Sequence, residues 1–346
     1  MKKRYVSVIL FLFLALILTF VDLGFHSSQG IQSIRKITGS AISQNGYPQE
    51  TGIEPIVLFS PRDNCLDNLL ALINASTTIH CAFFDIDIPE LVAALQAKNA
   101  SVVVDNDNTA DWPDAAGMIR YDNNNQLSHN KFCIFDNMIV WTGSLNPTKR
   151  GTEKNNNNAV ILQSRYLADN YEQEFQELWS GAFGKGDPVY YPQLEVNGRL
   201  AENYFCPEDS CAGQVIKTIS LANESIYFMA FSFTHDGIGQ AVLDAANRSV
   251  EVHGIMEKSK NNKYHEFEKL ASAGLDVSWD TNPANMHHKV FIIDKKIVVT
   301  GSFNPSKNAD ERNDENVIIL HDPGIAKKFL EEYAIVAQWP LALALS

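Results

Sequence analysis

The chain has 346 residues, of which 45% are hydrophobic and 20% charged, close to globular averages and long enough for two units of ordinary domain size. A formal net charge of −13 argues against a protein whose main task is to coat nucleic acid, because nonspecific affinity for that polymer comes mostly from neutralising phosphates. A local basic cleft is compatible with this balance.

Lys2, Lys3 and Arg4 precede an almost unbroken apolar run from Tyr5 to Val21. The run predicts a membrane anchor or a signal segment over residues 1–28, with the rest of the chain outside the cytoplasm, either anchored or secreted. Residues 29–52 are polar, lack periodicity and read as a linker.

Two similar units follow, over residues 53–185 and 186–346. Phe59-Ser60-Pro61-Arg62-Asp63-Asn64-Cys65 resembles Phe205-Cys206-Pro207-Glu208-Asp209-Ser210-Cys211. Apolar periodicity then predicts helices over Leu66 to Asn74 and Ala212 to Asn223. Each unit continues with a β-rich run (Thr77 to Phe84; Ser225 to Thr234), a helix (Pro89 to Lys98; Ile238 to Asn247) and a short strand (Ser101 to Val104; Val250 to Ile255). Two further strands are joined by the short polar turns Asp136-Asn137 and Asp294-Lys295. A last strand (Ala159 to Gln163; Val317 to Leu320) and a helix (Tyr166 to Trp179; Pro323 to Trp339) close each unit. Alternating strands and helices indicate an α/β class of two fused, similar halves.

Five cysteines leave at least one thiol unpaired; Cys206 and Cys211 are close enough in sequence to close a small loop in an exported protein. Trp112, Trp141 and Trp279 suit core packing better than a substrate groove.

The chemistry lies in a pattern that occurs twice, H-x-K-x4-D-x6-G-S-x-N. One copy is His129, Lys131, Asp136, Gly143, Ser144 and Asn146; the other is His287, Lys289, Asp294, Gly301, Ser302 and Asn304. With each position matching by chance at roughly one in twenty, a single copy is expected on the order of a few times per million such chains. Residues two apart on a strand share a face, so each histidine lies beside its lysine, and each serine beside its asparagine. Asp136 and Asp294 fall on the other parity at the strand end and suit turn capping. Lysines, asparagines and serines are donors for phosphoryl oxygens, and two histidines supply a nucleophile and a general acid. No carboxylate cluster near the motifs resembles a magnesium or calcium cage, so no metal or other cofactor is expected. His288 and His80 have no matching partners and read as structural.

On these residues the chain resembles the phospholipase D superfamily, over nearly all of residues 53 to 346. The resemblance implies two α/β/α sandwich halves with one active site at their interface, and hydrolysis of a phosphodiester through a phosphohistidine. It implies a catalytic set of His129, Lys131, Asp136, His287, Lys289, Asp294 and Glu315, with Ser144, Asn146, Ser302 and Asn304 on the phosphate. His129 is expected as nucleophile and His287 as general acid. An acidic position of the family falls on Glu315 in the second half, but on Asn157 in the first; which histidine this favours is left open. The expected substrate is a phospholipid, the alternative is nucleic acid, and phosphatidyl transfer or a noncatalytic role ranks behind both. Both motifs lie in one chain, so a monomer is expected to be active.

Overall fold

The computed structural model describes residues 40–42, 46–108, 118–123 and 125–338. The apolar N-terminal segment and Trp112 lie outside these residues. Among the described residues, no helix is long and apolar enough to cross a membrane.

Strands β1 (Ser40–Ile42) and β2 (Pro48–Glu50) pair antiparallel, so part of the stretch read as linker is a hairpin. The first half runs β3 (Ile56–Ser60), α1 (Cys65–Ala75), β4 (Ile79–Phe83), α2 (Pro89–Ala97), β5 (Ser101–Val104) and β6 (Ile119–Tyr121). It continues with β7 (Lys131–Phe135), β8 (Ile139–Gly143), α3 (Lys149–Glu153), β9 (Asn157–Gln163) and α4 (Arg165–Ser180). The second half opens on a hairpin absent from the sequence reading, β10 (Gln193–Val196) and β11 (Arg199–Cys206). Then come α5 (Cys211–Ser220), β12 (Ser225–Ala230), α6 (Asp236–Asn247), β13 (Glu251–Met256), α7 (Phe267–Ser272) and β14 (Asp276–Trp279). The half ends with β15 (Lys289–Ile293), β16 (Ile297–Gly301), α8 (Lys307–Glu311), β17 (Glu315–His321) and α9 (Pro323–Val336).

The first sheet has the order β3-β9-β8-β7-β4-β5-β6. In the second, β11-β17-β16-β15-β12-β13-β14 repeats that order strand for strand, and β10, β2 and β1 extend its edge. Strands β7, β8 and β15 are buried along their whole length, which explains why their sequences are continuously apolar instead of alternating. Helices α4 and α9 cover the inner faces. Helix α4 packs on β4, β5, β7 and β8 and reaches β11 of the other sheet, while α9 packs on β12, β15 and β16 and reaches β3. One apolar core therefore runs through both halves, and a smaller one lies between the first sheet and α1 and α2. Helix α4 starts where the Ser164 hydroxyl accepts the Leu167 N–H, and ends at Gly181 with φ 95°. Disulfides join Cys81 to Cys133, directly opposite on β4 and β7, and Cys206 to Cys211; Cys65 is free and buried.

The repeat breaks in charge after β3 and β11. Arg62 meets Glu332 of α9 at 2.8 Å. At the matched place stands Glu208, hydrogen-bonded to Glu174 of α4, with Glu177 close by; one carboxylate oxygen from each of the three lies within 4.8 Å of the others. This corrects the expectation that no carboxylate cluster lies near the motifs, although it is reached through Asn130, on the strand face away from His129 and Lys131. Burial, reinforced by Asp209 and Glu177, pushes Glu208 up to about 7. Its ordinary value is 4.5, so between these values the folded state binds more protons than the unfolded chain, and stability falls as pH rises through that window. Glu208→Gln is therefore expected to raise the Tm at pH 8 relative to wild type and to leave it nearly unchanged at pH 4. Thermal melts across that range check this; parallel pH curves for the two proteins would contradict it.

Candidate active site

Strands β7 and β15 begin at the motif lysines, and the extended residues just before them reach across to the opposite half. Ser128 bridges Asp314, and Asn156 bridges Met286. The His129 N–H donates to the Asp314 carbonyl at 2.9 Å and the His287 N–H to the Asn156 carbonyl at 2.8 Å. Each histidine is thereby placed beside the other half's next side chain. His129 Nδ1 lies 2.7 Å from Glu315 Oε2, and His287 Nδ1 lies 2.8 Å from Asn157 Oδ1 and 3.1 Å from the Ser144 carbonyl. All three partners are acceptors, so Nδ1 carries the hydrogen in both neutral rings and Nε2 keeps its lone pair.

Histidine and lysine share a face, as strand parity requires. His129 and Lys131 both meet the Phe84 ring, with the Lys131 ammonium 4.9 Å from its centroid; His287 and Lys289 both meet Phe231, with that ammonium at 4.7 Å. Each ammonium donates to the carbonyl of its own histidine, at 2.6 Å and 2.7 Å. Both lysines are buried. Burial brings Lys131 down to about 7 despite Glu315, Asp105 and Asp85, while burial and then Lys131 hold Lys289 well below the usual lysine range. Burial, followed by the two lysines, likewise keeps both imidazoles well below their ordinary value. Glu315 is pushed up to about 8 by burial, against the pull of Lys131 and of the Ser302 hydrogen bond. Cationic groups crowded into a dry cleft are poised for an anion.

The asparagines point the same way. Asn146 Oδ1 and Asn304 Oδ1 are buried with no hydrogen-bond partner, at matched positions of the two halves. A half-turn of each amide puts an N–H donor there. Upstream, Gly143 and Gly301 have φ of 145° and 135°, and a Cβ on either would collide with the carbonyl of Asn158 or Asn316.

Four motif residues sit elsewhere than the catalytic reading put them. Asp136 and Asp294 occupy positive-φ turns and accept backbone N–H groups from Thr77 and Thr78, and from Asn223, Glu224 and Ser225. They fasten one strand to the next, as their parity suggested, and make no contact with the histidines. The serines were expected on the phosphate, but their hydroxyls are engaged with the residues that face the histidines: Ser302 donates to Glu315 at 2.7 Å, and Ser144 to Asn157 at 3.2 Å. His288 and His80 are structural: His288 meets Asn158 and Glu332, and His80 stacks on Phe175 beside Glu172. Trp141 is buried in the core and Trp279 stacks on Phe267. Phe84 and Phe231 were missed. Both immediately follow the matched strands β4 and β12, so alignment of the halves was the available signal.

Residues 70–179 and 215–335 match the family described as cardiolipin synthase, PLD-like domain. The chain belongs to the phospholipase D superfamily. It is a phospholipase D-like phosphodiesterase, and its relatives include proteins named for that chemistry. It is 37% identical over 145 residues to the phospholipase D of Rickettsia prowazekii, a match covering 42% of this chain and 71% of that protein. It is 31% identical over 128 residues to the human mitochondrial cardiolipin hydrolase, covering 36% and 50%. The fold also resembles that of a phosphatidylserine synthase from Haemophilus influenzae, with a TM-score of 0.60 at 13% identity and 90% of each chain covered.

A phospholipase D-like cleft lined by two buried ammonium groups is expected to bind inorganic phosphate or vanadate. At a hundredfold excess over Kd the linkage amounts to about 2.7 kcal/mol, read as a rise in Tm. Lys131→Met is expected to abolish most of that rise; an anion effect equal in the two proteins would contradict the assignment.

Proposed function

We propose that the chain hydrolyses phosphodiesters without a metal, through a covalent phosphohistidine on His129. The observation that carries the reading is the unequal backing of the two histidines. Attack by His129 Nε2 on phosphorus turns the ring cationic, and the Glu315 carboxylate at Nδ1 stabilises that charge. Asn157 anchors His287 without adding a negative charge, so protonated His287 remains a strong acid.

The phosphorus to leaving-oxygen bond breaks as that oxygen takes the His287 Nε2 proton. Neutral His287 then removes a proton from water, whose oxygen attacks phosphorus and breaks the Nε2–P bond. Lys131, Lys289, Asn146 and Asn304 hold the nonbridging oxygens. The bound anion offsets the lysine charges and restores the basicity of His287 that the first step requires. Two ammonium groups supply the charge stabilisation that a metal provides in other phosphodiesterases.

A phospholipid is the substrate to which the relatives' names point. Disulfides and the basic-then-apolar N-terminal sequence support action outside the cytoplasm, tethered or secreted. Both motifs lie in one chain, which supports a competent monomer. A nucleic-acid substrate is the second reading, favoured by a basic, aromatic-bearing loop at the rim of the cleft.

His287→Asn is expected to lower kcat/KM, which reports the steps up to leaving-group departure, by on the order of 10²- to 10⁴-fold on a substrate with an alkoxide leaving group, and far less with 4-nitrophenolate, which leaves without a proton. Glu315→Gln removes one charge-assisted hydrogen bond, about 1.5–3 kcal/mol, so kcat falls roughly 10- to 100-fold on both substrates. Steady-state kinetics with the paired substrates checks both. Equal losses of kcat/KM on the two substrates for His287→Asn would overturn its role as the acid.

A further inference from the structure

The segments that lead into the two motif histidines are held by buried carboxylates at matched positions. Asp105 directly follows β5 and Glu257 directly follows β13. Each of those strands lies next but one to the strand that the motif lysine opens, so the carboxylate reaches past the end of β4 or β12 to the residue ahead of the histidine. Asp105 Oδ2 accepts the Ser128 N–H at 3.0 Å, and Glu257 Oε2 accepts the Met286 N–H at 2.7 Å. The other oxygen of each is fixed by the N–H two residues further along the chain, from Asp107 at 3.1 Å and from Ser259 at 2.8 Å. A second buried carboxyl stands beside each, again at matched places: Asp122 after β6 lies close to Asp105, and Asp280 after β14 is hydrogen-bonded to Glu257. The next N–H in each chain, that of His129 or His287, goes the other way, to the backbone of Asp314 or Asn156 in the opposite half. Successive N–H groups of an extended chain point to opposite sides, and here both are taken, so each histidine is clamped between its own half and the other.

We propose that Asp105 and Glu257 are positioning residues, each setting the motif histidine of its own half through the backbone N–H that precedes it. Their separate effects on the reaction rest on the mechanism proposed above: Asp105 serves the attack by His129, and Glu257 the delivery of a proton by His287. Neither needs to touch substrate. A charge-assisted bond to a backbone N–H is roughly twice as strong as a neutral one, and a misplacement of about 1 Å at a reacting group costs on the order of a hundredfold in rate. The two carboxylates also differ in what they do to the neighbouring ammonium. Burial brings both lysines down; at Lys131 it is opposed by Glu315, then Asp105 and Asp85, whereas at Lys289 it is reinforced by Lys131 and Lys260 and opposed by Glu315. Asp105 therefore supports the first half in two ways, by placing the ring and by favouring the charged form of Lys131, while Glu257 acts through placement.

The test compares Asp105→Ala and Glu257→Ala with wild type in the full-length protein, on two diesters that differ in leaving group, an alkoxide and 4-nitrophenolate. The imidazole N–H signals are followed in parallel by NMR of protein labelled with nitrogen-15 at histidine. Glu257→Ala is expected to lower kcat/KM by on the order of 10- to 100-fold with the alkoxide and by about threefold at most with 4-nitrophenolate, which leaves without a proton. Asp105→Ala is expected to lower it by roughly the same factor on both. In the spectra, Glu257→Ala shifts the Nδ1–H signal of His287 and leaves that of His129 in place; Asp105→Ala does the reverse. The same leaving-group dependence in both variants overturns the positioning roles, as do spectra in which the two signals move together or not at all. Leaving-group dependence confined to Asp105→Ala upholds the positioning and overturns instead the choice of His129 as nucleophile. If the wild-type protein cleaves neither diester, the phosphodiesterase reading fails and the spectra alone decide the positioning. Should an alanine variant not fold, Glu257→Asp or Asp105→Glu, which keeps the charge and moves it by one carbon, carries the same comparison.

Discussion

The hydrogen bond from His129 to Glu315 crosses between the halves, and the rest of the site depends on it. Glu315 is fully buried, and an ionised carboxylate in that position is tolerable only when paired. Its partners are a histidine from the other half and a serine from its own. Asn157 plays the reciprocal part for His287. Neither half contains a complete pairing, so the same contacts that join the halves also set each motif histidine against its partner. Each charge-assisted bond of this kind contributes about 1.5–3 kcal/mol and is lost if the halves separate.

The seam that aligns these bonds is polar and closely satisfied. Asn316 takes a hydrogen bond from Thr142 and donates to Asn130, which in turn donates to Glu174. Across the pseudo-twofold, Asn158 takes one from Thr300 and meets His288, which meets Glu332. Six of these residues are fixed on opposite halves at bond lengths of 2.8–3.1 Å. A slip of one residue along either strand would point these groups away and leave several buried polar atoms unpaired, so the seam selects a single register. Helices α4 and α9 supply the apolar contact that holds the seam dry.

Much of the fold was legible in the sequence because it is local. Strand β5 begins and ends at the predicted residues, and most helices agree to within three residues, since their periodicity, caps and turn residues lie within a few positions of each other. The hairpin of β10 and β11 was not, because β10 has no counterpart in the first half and the pairing of β11 with β17 joins residues more than a hundred apart. The Cys81–Cys133 bond was hidden for the same reason: it follows from the register of β4 against β7. At the site, parity identified the inward-facing histidines and lysines and set Asp136 and Asp294 apart. It said nothing of what lies behind a side chain, so the serines were placed on the phosphate when they brace Glu315 and Asn157. The difference between Glu315 and Asn157 was visible in sequence, but its meaning depended on knowing that each serves the opposite half.

In the proposed mechanism this unequal, crossed backing makes His129 the nucleophile. Acid-labile adducts trapped by rapid alkaline quench during turnover, then mapped by mass spectrometry, test it most directly. The phosphoryl group is expected on the peptide containing His129, with its yield reduced by Glu315→Gln. An adduct on His287 in the wild-type protein would contradict it.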